Sequence, residues 1–294
     1  MKTNEESQYE GMCHLAIARC EQSIGNTHGE VEALISASRC YLQAENEIAN
    51  LGTPTFEENL TASIQSYNHA VRLLHEKGDD FRASGLCIEL GDALVKLEKS
   101  AEALTFYKRA AELRPNSTLS YLYAQEKVGK TQISVRDHHS ALNTFTDIAN
   151  VAEQSCKKPG TSSVYLDLLA KCEIYRIILL LLIQPTPQNV SPSLTSVLEK
   201  YAWESSSPMN LTEENQKGGN FGSNPSPGGI VGNQYLSEEV FLLFQSVVMA
   251  VQVRDGNALT ELEDYLVPHL HSEPLQRDLL RELVVSMKTT RQTL

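Results

Sequence analysis

The side chains of this chain that could ligate a metal or move protons occur as a histidine pair, spaced cysteines and adjacent carboxylates. His138 and His139 are neighbours, so on a helix they point about a hundred degrees apart and cannot hold one ion together. Cys13 and Cys20 share a helix face, a spacing that suits core packing better than ligation. The six cysteines (Cys13, Cys20, Cys40, Cys87, Cys156, Cys172) include no CxxC pair. The carboxylate pairs Glu5–Glu6, Glu57–Glu58 and Glu213–Glu214 read as helix starts, where anions meet the positive end of the helix dipole, rather than as acid–base pairs. No GxGxxG or lysine-bearing phosphate loop stands where a strand would deliver it. The late glycines Gly218, Gly219, Gly222, Gly228, Gly229 and Gly232 are too dispersed to cradle a phosphate. The expectation is therefore no catalytic residue, no cofactor-binding residue and no metal ligand, so the chain is not read as an enzyme.

The elements that must position any functional surface are helices. Almost every segment has helical periodicity, and no alternating strand pattern appears. The clearest stretch is SGLCIELGDALVKLEKSAEALTFYKRAAELRPNS, Ser84 to Ser117. Leu90-Gly91 sits mid-helix with Leu94 a turn later; Ala103, Tyr107 and Ala110 recur in the next helix, and Pro115 closes the unit. This is the thirty-four-residue tetratricopeptide pattern, in which small residues let two antiparallel helices touch and a proline stops the second. A weaker copy places Gly129, Ala141, Phe145 and Ile148 in the corresponding positions, on helices at Leu119–Ser134 and His138–Gln154.

Upstream, Tyr9–Ile24, Glu30–Asn50 and Phe56–Lys77 are helical by pattern. Thr55 with Glu58 forms a capping box for the third of these, and the first has no evident partner. Downstream, Val164–Gln184 is followed by a helix with Ser191 as N-cap and Pro192 at its first position. Ser205–Gln234 is polar and rich in Gly and Pro, which predicts a disordered loop. Helices resume at Ser237–Arg254, Gly256–Pro268 and Ser272–Lys288. The fold class expected is all-α: a tetratricopeptide-like helical-hairpin stack, an attachment-protein-like solenoid over 1–155, with a compact C-terminal helical part at 164–288 interrupted by the loop 205–234.

Composition sets further bounds. The 294 residues are 41% hydrophobic and 21% charged, enough to bury a core without staples. The net charge of -12 argues against nucleic acid, whose phosphates need clustered Lys and Arg. The N-terminal MKTNEESQYEGM lacks the apolar core of a secretory leader, and the cysteines read as reduced thiols of a cytosolic chain. The run Ile177–Ile183 within CEIYRIILLLLIQP holds seven consecutive apolar side chains, against the roughly 20 that a membrane span requires. No span is expected. A helix apolar nearly all round must be covered by protein. The expectation is cover from Tyr201, Trp203, Phe241 and Phe244, with an apolar strip left over. Ile174, Ile178, Leu182, Tyr201 and Trp203 are the candidate partner-binding residues.

The second half also carries recognisable stretches. CEIYRIILLLLIQP, LEKYAWE and LSEEVFLLFQSVVMAVQVRD, with HLAIARCEQSI and AVRLLHEKGDDFRASGLCIELGDAL in the first half, resemble the family of 40-kDa huntingtin-associated proteins, also called factor VIII intron 22 proteins. The resemblance implies an all-helical adaptor that binds huntingtin as a monomer within a heterodimer. It also implies a Rab GTPase effector that recruits huntingtin to early endosomes and regulates their motility, in the cytoplasm with some nuclear presence. The alternative is an attachment-protein-like adaptor of vesicle fusion. The resemblance implies a basic helical segment before the first matched helix; here the chain begins almost at that helix, as expected of a form shortened at the N-terminus or of an incomplete gene model.

Overall fold

The computed structural model describes residues 4–52, 56–114, 117–156, 162–183, 197, 199–201, 235–270 and 273–292. Among these residues there are eleven α-helices and no strand. They are α1 (Asn4–Ser23), α2 (Thr27–Asn50), α3 (Glu58–Glu76), α4 (Asp80–Lys96), α5 (Ser100–Glu112), α6 (Thr118–Ser134), α7 (His138–Cys156), α8 (Ser162–Ile183), α9 (Glu238–Val253), α10 (Gly256–Leu266) and α11 (Pro274–Gln292), with a 3-10 turn at Val267–Leu270. The all-α hairpin stack is thus as the periodicity and the tetratricopeptide pattern require. The expected loop 205–234, the Ser191–Pro192 helix start and Trp203 lie outside the described residues. Two compact units divide at Thr144 and Phe145, within α7.

One turn recurs in the first unit, before α2, α4, α5 and α7. Gly25, Gly78, Glu98 and Arg136 each adopt a left-handed backbone, and the residue after each heads the next helix. The amides of Asn26, Asp79, Lys99 and Asp137 reach back to the carbonyls of Glu21, Leu74, Leu94 and Gln132, each at 2.9 Å. This bond satisfies a carbonyl that the helix end would otherwise orphan. Three of those heading residues then cap the helix they open: the side chains of Asn26, Asp79 and Asp137 accept from the amides of Gly29, Arg82 and Ser140. Hydrogen bonds from Ser140, first from its side chain and then from the capped amide, hold the Asp137 carboxyl below its ordinary range. Helices joined by this turn run back on one another, and α1 packs on α2, α2 on α3, and so on to α6.

Two expectations about the upstream helices change. The first helix is not an orphan: it forms a hairpin with α2, because Gly11 lets the α1 backbone approach the ring of Tyr41, to which a Cβ at Gly11 would come within 3.1 Å. The third helix starts at Glu58, not at Phe56, so Glu57 occupies the cap position in a left-handed conformation with no side-chain cap bond. Thr55, expected to cap it, lies outside the described residues.

The core of the first unit holds the small residues that the repeat pattern requires. Ala83, Ala103 and Ala110 are fully buried, with Leu90, Leu94 and Tyr107 around them. Ser84 Oγ donates to the carbonyl of Ala110 at 2.9 Å, so the α4–α5 contact is close enough for a side chain to bond the facing backbone.

In the second unit, α8 is covered on all sides from Cys172 to Leu181. The ring of Tyr175 stacks on Phe145, centroids 4.3 Å apart. Tyr175 Oη donates to Glu273 at 3.3 Å, and Gln276 Nε2 donates to the carbonyl of Lys171 at 3.2 Å, which ties α8 to the start of α11. α9 and α10 form a hairpin with the same turn as the first unit: Arg254 is left-handed, and the Asp255 amide bonds the Ala250 carbonyl at 2.9 Å. Ser237 and Asp255 cap α9 and α10. Pro268 falls in the 3-10 turn, which ends α10 two residues earlier than its sequence suggests.

Candidate partner-binding surface

A solenoid displays whole helix faces, so the residues that remain exposed on them decide what it can bind. In the first unit α2, α4 and α6 share a face built from cross-helix ion pairs. Arg39 donates to both carboxylate oxygens of Glu89, at 2.7 and 2.9 Å, and Tyr67 adds a third bond to Glu89 at 2.9 Å. Arg82 pairs with Glu32 across the same two helices. Lys127 of α6 meets Asp92 of α4 at 2.8 Å, and Asp92 also accepts from Tyr107 at 2.5 Å. The hydrogen bond from Arg39 holds the Glu89 carboxyl below its usual range, while burial and then Glu89 push the Tyr67 phenol up. Each charge here is neutralised by its neighbour on the next helix. That makes the face polar and internally paired.

The same unit has a groove of about 290 Å³ between α1, α2 and α3, floored by Leu15, Ala18 and Leu34 and edged by Arg19, Glu30 and His69. His69 Nε2 lies 3.5 Å from Glu30.

The second unit presents the opposite character. The sequence placed an apolar strip on α8, at Ile174, Ile178 and Leu182, with Tyr201 and Trp203 beside it. In the structure Ile178 and Tyr201 are wholly buried and Ile174 nearly so. The cause is the cover of α8 by its own chain, together with the contact of Tyr201 on Phe241, ring centroids 4.9 Å apart. Leu182 is half-buried. Among the described members of that set, Leu182 alone retains appreciable surface.

The exposed apolar strip lies instead on α9. Leu242, Met249 and Val253 stand at i, i+7 and i+11 and face solvent, Val253 at 74%. Met249 and Val253 continue into a groove of about 410 Å³ between α9 and α10, whose further lining includes Ala258, Leu262 and Tyr265, with Asp255 and Glu261 at its edge. Tyr265 is 65% exposed. The signal was present in FLLFQSVVMAVQV: Phe244, Val247, Val248 and Val251 fill the buried face, so the remaining apolar residues had to lie on another. Sequence reasoning passed over it because α8 is the more apolar helix.

Among the described residues, no helix is long and apolar enough to cross a membrane.

Comparison with known proteins agrees with this architecture. The chain is 29% identical over 324 aligned residues to the 40-kDa huntingtin-associated proteins of Mus musculus and of Rattus norvegicus, an alignment covering 93% of this chain and 80% of each relative. The family model described as soluble NSF attachment protein matches residues 1–170, a range that includes α1 to α7 and the first turns of α8. On that match the chain belongs to the soluble NSF attachment protein family.

Proposed function

We propose that this chain is a non-enzymatic adaptor that binds huntingtin through the apolar groove between α9 and α10. The observation that carries the reading is the exposed strip Leu242–Met249–Val253 with Tyr265 across the groove. Huntingtin as the occupant is supported by the names of the relatives to which the chain is similar over most of its length. A helix of the partner suits a groove that is apolar along one helix face, and the acidic edge at Asp255 and Glu261 favours a basic flank on that helix. In this reading the hairpin repeats of 1–155 are the rigid platform and the C-terminal part at 164–288 supplies the contact. Ile174, Ile178 and Tyr201 then act by holding α8 in place, and Leu182 is the member of that set available to a partner. Action as a Rab GTPase effector, recruiting huntingtin to early endosomes from the cytoplasm, is the finer form of the proposal. It rests on the resemblance of the quoted motifs.

A pull-down from cell extract with the full chain tests the core of the proposal. Huntingtin should be recovered with the unaltered chain and lost with Met249→Glu/Val253→Glu, at a cost of about 2 kcal/mol or more in binding for such anchors. Helicity and melting should be unchanged, because both side chains are exposed. Equal recovery by the two proteins removes the groove from the proposal; no recovery by either removes huntingtin. The second reading, an attachment protein of vesicle fusion, is supported by the family match over 1–170. It predicts recovery of a fusion ATPase in place of huntingtin.

A further inference from the structure

We infer that α1 and α2 together form a zinc site from Glu10, His14 and Cys40. Glu10 and His14 are four residues apart on α1 and project from the same side of that helix. Cys40 comes from α2, next to Tyr41, whose ring lies against Gly11. The absence of a side chain at Gly11 is what brings the two helices close enough for the three groups to converge. A carboxylate oxygen, a ring nitrogen and the Sγ, one from each residue, all lie within 4.8 Å of one another.

In a tetrahedral zinc site, metal–ligand bonds of about 2.0–2.3 Å place neighbouring donor atoms roughly 3.5 Å apart. The three groups thus need to close by little more than an ångström; Glu10 is exposed and His14 and Cys40 are half-buried. The donor set also selects the ion. A thiolate and an imidazole favour zinc over magnesium or calcium, which prefer all-oxygen shells. Three protein donors leave a fourth position for water. The consequence for the fold is a staple between α1 and α2.

The sequence hid this site because its ligands are spaced as 4 and 26 residues, unlike any compact zinc signature. Cys40 was read as one of six reduced thiols, and metal ligands were sought at His138 and His139.

The test uses the purified full chain with Co²⁺ as a spectroscopic probe and Zn²⁺ as competitor. One equivalent of Co²⁺ should give a thiolate-to-metal charge-transfer band that Zn²⁺ abolishes. Cys40→Ser should remove the band, and His14→Ala should weaken Zn²⁺ binding at least about 10-fold, since loss of even an outer-shell partner costs that much. Cys13→Ser, one residue from His14 but outside the cluster, should change neither. If the Cys40 variant does not fold, alkylation of the unaltered chain read by mass spectrometry decides: Zn²⁺ should protect Cys40 and leave Cys13 reactive. A band that follows Cys13, Zn²⁺ binding unchanged in His14→Ala, or Cys40 alkylated equally with and without Zn²⁺ overturns the site.

Discussion

Tyr107 closes on Gly91 so tightly that a Cβ placed on Gly91 would lie 2.6 Å from Cε1 of the ring. The ring cannot swing aside, because Tyr107 is buried and its hydroxyl is held by Asp92. Gly91→Ala would gain up to about 1 kcal/mol of helix propensity but would overpack a closed contact, at about 1–3 kcal/mol. The clash prevails, and a net loss of about 1–2 kcal/mol is expected in chemical denaturation. Gly85 in the same helix is the control. Its nearest neighbour beyond its own helix is Arg114 Nη2 at 4.0 Å, so Gly85→Ala should stabilise. Opposite signs at the two glycines identify the contact, rather than the helix, as the reason for Gly91.

That glycine shows how far the sequence could be read. The tetratricopeptide spacing named Gly91, Ala103, Tyr107 and Ala110 as contact residues, and all four are buried, because close helix contact leaves a compositional mark that period and residue size expose. The copy at Gly129, Ala141 and Phe145 was legible for the same reason. What the sequence could not show was which apolar helix would be covered. Hydrophobicity states how much surface must be buried, not by what, and so α8 was given a strip whose Ile174 and Ile178 are in fact buried, while α9 kept one that was overlooked. The hairpin of α1 with α2 was hidden similarly, since Gly11 in a helix reads as a weak position until Tyr41 is found against it.

The recurring interhelix turn makes a second test. Glu98 and Arg254 occupy the left-handed position that Gly25 and Gly78 fill elsewhere, and a side chain there costs about 1–2 kcal/mol. Both are exposed. Glu98→Gly and Arg254→Gly should each raise stability, by about 0.5–1 kcal/mol once the greater freedom of glycine in the unfolded chain is deducted. Gly78→Ala should do the reverse. Melting temperatures of the three variants check this, and a loss in both glycine variants would mean that the side chains make contacts worth more than the strain.

Glu89 supplies a pH dependence. The hydrogen bond from Arg39, helped by that from Tyr67, lowers its folded-state pKa below the ordinary value of 4.5. The unfolded chain therefore takes up the proton first. The contribution of Glu89 is complete above about pH 4.5 and is lost as pH falls through the folded pKa. Glu89→Gln should be less stable than the unaltered chain at neutral pH, and the gap should close on acidification below about pH 4.5. Denaturation midpoints of the two proteins across that range measure it. A gap that stays constant with pH would show that the Arg39–Glu89–Tyr67 cluster contributes no charge-dependent stability.

The apolar interior of α8 carries a pair of opposite charges. Glu173 and Arg176 are buried one turn apart, with Arg176 Nη1 at 3.2 Å from Glu173 Oε2, and Lys200 Nζ is 3.8 Å from the other oxygen. The pair is imperfectly satisfied: among the described residues Glu173 Oε1 and Arg176 Nε have no hydrogen-bond partner. Removing one partner strands the other charge inside the unit, and either Glu173→Leu or Arg176→Leu should cost about 3–5 kcal/mol. Removing both relieves the interior of two desolvated groups. The double variant should recover most of that loss, because a buried pair rarely exceeds well-packed apolar side chains of similar size. A double-mutant cycle read by chemical denaturation tests the coupling. Losses that simply add in the double variant would mean that the two charges are held by different neighbours and not by each other.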